Sequence, residues 1–425
     1  MFAKILNTFG TRTATAIINL LIAIVVSQFL GAEGKGSQGL IITTIAFILV
    51  FANIIGGATL VYLVPRYTLS GLVIPSYIWS VLIGGLSYVF LLAVPIIDRA
   101  YILDISLLAV LNSFMTINSS LLIGKEKISS SNFVNLLVPL LTIVTLLIFF
   151  IGLERNDISS YITALYTAYG AAFLVSLAYL FRFFRKFEPL DSSLTRKILQ
   201  DLFRLGFLNQ IAHITQMLSF RLSYYLLDYF HGEAVVGVYS NAISLTESLW
   251  LISKSISLVQ YARIANTEER SYAANLTVRL TKAALLVSAV LLIPLLVLPV
   301  EVYTYVFGEG FEGIKPVIWV LAPGVLMYNV SILAGHYFSG LGKYNVNAMV
   351  SGIGLIVSVA AYLLLIPAYS GQGAGIAATL SHTFNSLFLL ILFLRHSRTK
   401  PAGFIPTRGD FIFLKKEIRN YLGKK

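Results

Sequence analysis

Two stretches of this sequence set ionisable side chains into otherwise apolar runs. Between residues 203 and 227, Gln210, His213, Met217, Arg221 and Tyr224, with Asp228 just beyond, recur every three or four residues and so share one helix face. Between 234 and 260, Ser240, Ser244, Glu247 and Lys254 repeat the pattern, because seven residues return a helix almost to its starting face. A charge at mid-depth in a bilayer costs about 2.5–3.5 kcal/mol on insertion scales, so each is a functional candidate by default. The chemistry on offer is binding. A guanidinium or ammonium turned toward a cavity gives a phosphate-bearing ligand charge and hydrogen bonds with no covalent step. Arg221 and Lys254 are the candidates, the structural alternative being ion pairs with Asp228 and Glu247. Those two carboxylates are also where proton or sodium coupling would run, and Asn19, Gln210, His213 and Ser244 are expected to line the polar path. Arg12, on one face with Thr15 and Asn19, and Arg66 and Arg263, at the ends of two later runs, would draw an anion to the inner mouth; snorkelling at a helix end is the plainer alternative.

The elements that must position these groups follow from composition. Of 425 residues 57% are apolar and 12% charged, against about a quarter charged in soluble domains. Runs long enough for a hydrocarbon layer of about 30 Å recur along the chain. Expected spans cover 12–30, 39–63, 74–96, 101–122, 132–152, 160–182, 203–227, 234–260, 276–299, 314–340, 345–366 and 371–394. The fold class is an all-α polytopic membrane protein of about twelve transmembrane helices. The first run follows Lys4 and Arg12, lacks an A-x-A-like cleavage site and leads at once into a second, so it is read as a retained span. Cysteine is absent, which excludes disulfides and thiolate chemistry. No metal or organic cofactor is expected.

Orientation follows from the basic residues. With both termini cytoplasmic, the great majority of the 31 Lys and Arg fall on the inner side, and the acidic residues lean outward. The net charge of +12 is therefore topological, facing anionic headgroups rather than nucleic acid. In the tail, Phe411, Leu414, Ile418 and Leu422 fall opposite Lys415, Lys416 and Arg419, which predicts a helix on the inner surface.

A basic linker divides the chain into a six-helix lobe (1–182), a cytoplasmic amphipathic linker (183–203), a second six-helix lobe (204–395) and a basic tail (396–425). Pro189, Asp191, Ser192 and Ser193 break one helix and cap the next, whose Leu194, Ile198, Leu199 and Leu202 share a face. Phe29, Gly31 and Gly36 match Phe230, Gly232 and Gly237 at one constant spacing, and Gly124-Lys125 is set against Gly342-Lys343. Internal repeats of this kind mark secondary transporters that rock about a central site. Gly56-Gly57, Gly84-Gly85, Pro139, Pro294 and Pro323-Gly324 interrupt spans, as bending points or as sites of close helix packing.

The string Phe29-Leu30-Gly31-Ala32-Glu33-Gly34-Lys35-Gly36, then Gly56-Gly57 and Leu63-Val64-Pro65-Arg66-Tyr67, resembles the polysaccharide transporters of the MOP flippase superfamily. Asp228-Tyr229-Phe230, Val236-Gly237-Val238-Tyr239-Ser240 and Phe338-Ser339-Gly340-Leu341-Gly342-Lys343 are similar to the same family, and the likeness covers about residues 5–395. The resemblance implies a MATE/MOP-like pair of six-helix lobes that alternate access to a central cationic cavity. It implies as cargo an undecaprenyl-pyrophosphate-linked oligosaccharide, moved from the inner to the outer leaflet of a bacterial inner membrane for O-antigen, capsule or exopolysaccharide assembly. Polysaccharide polymerase and chain-length proteins are the partners it implies. Relatives that flip the peptidoglycan precursor commonly carry fourteen spans, and no extra pair is read here. The multidrug exporters of the superfamily are the rival; their typical first-span aspartate is missing, since Arg12 to Leu30 contains no acid. A membrane glycan polymerase or ligase is a third reading, disfavoured by short outer loops. Gly340-Leu341-Gly342-Lys343 lacks the upstream glycine and following Ser or Thr of a phosphate-binding loop, so direct ATP hydrolysis is not expected.

Overall fold

The computed structural model describes residues 2–183 and 192–404. The expected helix breakers Pro189 and Asp191 and the surface helix of the tail lie outside the described residues. Thirteen α-helices make up nearly all of what is described. They are α1 (Phe2–Ala52), α2 (Gly57–Leu63), α3 (Leu69–Ala93), α4 (Ile102–Gly124), α5 (Ile128–Leu147), α6 (Ile158–Phe181) and α7 (Ser192–His231). Then follow α8 (Glu233–Glu247), α9 (Trp250–Ala265), α10 (Arg270–Val297), α11 (Val300–Phe307), α12 (Ile314–Gly340) and α13 (Tyr344–Ser397).

Eight helical stretches are long and apolar enough to cross a membrane, and α8 with α9 pass together as a span bent by 41°. Two of the eight are folded double. At 1.5 Å per residue the 51 residues of α1 and the 54 of α13 would each run to more than twice the thickness of a bilayer core. Each is kinked, α1 at Gly31 (φ 67°, ψ −170°) and α13 at Ser370 (φ 54°, ψ −135°), so each supplies two crossings. Among the described residues that makes eleven crossings by length and composition; α7 covers the expected seventh span of the about twelve without being among the stretches apolar enough to count. Leu86, Val89, Ile356 and Leu364 stand exposed on α3 and α13, an outer surface that only lipid accepts in such quantity.

Three elements depart from the periodicity reading. The second span is broken between Asn53 and Gly57, and the eighth between Glu247 and Trp250. From Ser192 the linker runs on into the seventh span as one helix, α7, of 40 residues. Nothing interrupts it because the linker's apolar face is buried: Ile198 and Leu202 pack with Leu60, Leu63, Leu72 and Leu121.

The chain folds as two compact units. One holds the chain up to Ser240 with Thr304–Phe311, and the other holds Asn241–Tyr303 with the chain from Glu312 onward. Inside the first, hydroxyls and amides tie α3, α4 and α6: Ser80 to Ser113 (2.7 Å), Tyr77 to Asn118 (2.6 Å) and Asn118 to Ser176 (3.0 Å). Inside the second, the buried Asn329 of α12 accepts from Ser253 and from Ser288 (3.3 Å), and Gln260 donates to Thr277 (2.8 Å) and the Leu333 carbonyl (3.0 Å). With no water in the hydrocarbon layer, such partners are what make buried polar groups affordable.

The internal repeat is visible in the backbone. The matched Gly31 (φ 67°) and Gly232 (φ 81°) both have positive φ. The turns after α4 and α12 share one hydrogen-bond pattern. Lys127 N–H reaches Leu122 (2.8 Å) as Lys343 N–H reaches Phe338 (2.8 Å), and Glu126 reaches Ile123 as Gly342 reaches Ser339. The proper register thus sets Gly124 on Gly340 and Lys127 on Lys343, two residues away from the Gly124-Lys125/Gly342-Lys343 match. Residue identity sets the glycines together, whereas the turn is defined by its left-handed third residue, Glu126 (φ 60°) in one repeat and Gly342 (φ 73°) in the other. The same register sets Ser113 on Asn329, the inner polar anchor of each unit.

Candidate functional site

In the first unit the polar face of α7 is present, and its residues do different things. Gln210 is buried, and its amide donates 3.0 Å to the Asn53 carbonyl, an acceptor released where the second span breaks. His213 is exposed. Arg221 is half-buried; its guanidinium donates 3.3 Å to the Tyr224 hydroxyl and lies 5.4 Å from that ring's centroid. Tyr224 is itself fixed, buried and edge-on to Tyr239 at 5.7 Å. A tyrosine three residues on therefore braces the arginine, using both the ring face and the hydroxyl. Asp228 is half-buried two turns further along, and burial raises its carboxyl above the usual range.

Elsewhere in this unit, Arg12 and Asn19 are exposed on one face of α1, with Thr15 half-buried between them. Arg66 sits in the turn after α2, its guanidinium 3.6 Å from the Tyr62 ring centroid and 3.5 Å from the Tyr62 carbonyl. Beside it, Tyr67 donates 2.5 Å to Asp201 of α7; that bond raises the phenol and pins the linker end of the helix.

The second unit changes the reading of the other stripe. Glu247 is the last residue of α8 and Lys254 lies in the second turn of α9, with the bend between them. The shared face of Ser240, Ser244, Glu247 and Lys254 needed one continuous helix, and that helix is interrupted at Ser248 and Leu249. Ser244 is exposed and Glu247 half-buried, on a helix end where the backbone dipole presents its negative pole. Lys254 is exposed, its ammonium 5.7 Å from the centroid of Trp250. Arg263 is exposed in the last turn of α9, where a cation suits the helix end.

Sequence reasoning missed what holds this bend. Trp250 is almost fully buried, donates its indole N–H 3.0 Å to the Val325 carbonyl, and packs against Tyr328 (4.4 Å) and the buried His382 (5.3 Å). A tryptophan, a histidine and an asparagine inside apolar runs are the signal the sequence carries for it. The chemistry these groups support is recognition: cations on aromatic supports and carboxylates at helix ends.

Solved structures carry the same fold. The lipid II flippase MurJ in its inward closed conformation matches with a TM-score of 0.75 over 99% of this chain and 97% of that chain, at 14% identity. An inward-facing multidrug resistance MATE family transporter of the MOP superfamily matches with a TM-score of 0.72 over 90% and 94%, at 15% identity. A MOP superfamily transporter from Pyrococcus furiosus, for which reverse polarity of the binding pocket suggests a different function, matches at 0.59 over 92% and 94%, with 16% identity. No family model and no curated protein sequence matches the chain. At these identities the likeness defines the fold: a multi-pass membrane protein built as the MOP superfamily transporters are.

Proposed function

We propose that this protein is a flippase that carries undecaprenyl-pyrophosphate-linked oligosaccharide from the inner to the outer leaflet of a bacterial cytoplasmic membrane, by alternating access, for O-antigen, capsule or exopolysaccharide assembly. The observation that carries the reading is Arg221, a half-buried guanidinium in a membrane helix, braced by Tyr224 on a fold shared with a lipid II flippase. An arginine is costly there unless it meets an anionic ligand or a polar path. In this reading one unit offers the cargo the cations Arg12, Arg66 and Arg221, with Asn19 and His213 as neutral donors and acceptors, and the other offers Lys254 on Trp250 and Arg263, with Ser244. Glu247 and Asp228 are the carboxylates through which proton or sodium coupling runs. Both termini face the cytoplasm, as the basic residues require. Polymerase and chain-length proteins take up the product.

The likeness to a MATE family transporter favours a second reading, a cation-coupled exporter of small amphipathic molecules. The two differ in the sign of the ligand. In a deletion strain, the flippase reading expects lipid-linked oligosaccharide to accumulate in the inner leaflet, with rescue by the wild-type gene and little or none by Arg221→Ala or Lys254→Ala. Full rescue by both variants removes these residues from the mechanism. Resistance to cationic drugs without any oligosaccharide phenotype establishes the exporter instead.

A further inference from the structure

Lys35 belongs to the short segment where α1 turns back at Gly31, a place where a lysine is expected to face water. The structure buries it to 4% exposure. Its ammonium donates to the Gln38 side chain, and Gln38 donates 3.1 Å to the Tyr161 hydroxyl of α6, both partners being buried as well. Among the described residues Gln38 is its one hydrogen-bond partner. Lys35 stands in the first turn after the Gly31 kink, and its amine has one neutral acceptor for three N–H groups. Burial and unmet donors both favour the neutral amine over the ammonium.

The next residue along meets another helix. Gly36 backs onto the Glu233 carbonyl of α8 so closely that a Cβ would collide with it, and Gly237 backs onto the Ala32 carbonyl in the same way. The contact is reciprocal, because the register that sets Gly31 on Gly232 also sets Ala32 on Glu233 and Gly36 on Gly237. Ser37 closes it further with a hydrogen bond to the Glu233 carboxylate. At Gly36 backbone meets backbone, so parting α1 from α8 admits solvent one residue from Lys35.

We propose that Lys35 is a proton-binding site linked to this contact: a neutral amine while α1 and α8 are closed on each other, an ammonium once they part. Because the parted form binds the extra proton, acid favours parting and alkali favours closure. The proposal takes its purpose from the transporter reading above, but its test needs no cargo. From α6 the titratable group joined to Lys35, through Gln38, is the Tyr161 hydroxyl; at the α1–α8 contact they are Glu233 itself and the carboxylates of Asp228, Glu33 and Asp98, which lie close enough to act on Glu233 electrostatically.

The absence of native cysteine makes the test direct. Spin labels at Glu33→Cys and Ala234→Cys, both exposed positions, report the separation of α1 and α8 for the full chain in lipid nanodiscs across a pH series. With Lys35 intact, the ratio of long to short distances should rise as pH falls, by up to about tenfold per unit for one linked proton. Lys35→Met and Lys35→Gln should both hold the short distance at every pH, while Glu233→Gln should leave the response in place. A pH response that persists in either lysine variant, no response in the labelled parent, or loss of the response in Glu233→Gln each overturns the proposal. Failure of the genetic rescue described above would sink the flippase reading and leave this result standing.

Discussion

Spans two and eight hold the same place in the two repeats, and both are broken, yet the breaks are made differently. Between α1 and α2 the chain leaves the helix through an extended Gly56 (φ −166°, ψ −163°) and a left-handed Gly57 (φ 50°). The damage is repaired by a neighbour: Gln210 of α7 meets the Asn53 carbonyl, and Gly206 lets α7 close onto the Ile54 carbonyl. Between α8 and α9 no glycine is used. The helix tightens, with Leu249 N–H reaching Thr246 (3.3 Å) and Leu251 N–H reaching Ser248 (3.1 Å), while Thr246 and Ser248 hydroxyls bond back to Ala242 (2.8 Å) and Leu245 (2.6 Å). One break depends on another helix for its hydrogen bonds. The other supplies its own and depends on Trp250 for packing. Lipid offers neither, so each device is obligatory where it stands.

That contrast predicts where each unit is weakest. The largest effect is expected at Trp250→Ala, which removes the packed ring and should cost about 3–5 kcal/mol. Trp250→Phe keeps most of the ring and loses the bond to Val325, costing about 1 kcal/mol beyond any repacking. Thermal unfolding of the purified protein in detergent separates the two. Equal losses in both variants would mean that the hydrogen bond, rather than the packing, braces the bend.

A smaller loss is expected on the other side of the comparison. Gln210→Leu leaves the Asn53 carbonyl without its donor and should cost about 1–2 kcal/mol. Ser248→Ala, at an exposed hydroxyl that serves its own turn, should cost a few tenths, roughly an ordinary surface change. If the order is reversed in the same unfolding measurement, the distinction between a borrowed and a self-made repair fails.

Much of this fold is legible in the residues. The apolar run at 314–340 is α12 residue for residue, and Gly31 and Gly232 mark kinks because a positive φ is what glycine permits. The break after Glu247 is not legible, since Ser248 and Leu249 carry no glycine or proline and the bend is held by contacts with α12 and α13. Charge was the guide to the candidate site, and it found Arg221 and Lys254. Lys35 lies between two spans, where charge alone predicts exposure, yet it is buried and bonded to Gln38, which reaches Tyr161 of α6. Spacing along one helix reports a face; it does not report which faces a distant helix covers.

The subtlest comparison lies in the turns after α4 and α12, whose backbones coincide. Lys127 stands at φ −89°, ψ 53° where Lys343 stands at φ −91°, ψ 55°, and Lys125 at φ −88°, ψ 13° where Leu341 stands at φ −88°, ψ 7°. The residues at the left-handed position differ: Glu126 at φ 60°, Gly342 at φ 73°. A side chain there strains the folded state by about 1 kcal/mol or more, whereas glycine adopts the conformation freely and loses more entropy on folding. Glu126→Gly should therefore leave stability level or raise it by up to about 1 kcal/mol, the relief of strain being partly offset by the looser unfolded chain. Gly342→Ala should lower it by about 1 kcal/mol, because no Cβ is accommodated at that φ without strain. Opposite signs in paired unfolding curves would show that the two turns are one design with different residues. A loss in Glu126→Gly as large as that in Gly342→Ala would mean that the Glu126 side chain contributes something its backbone angles do not reveal.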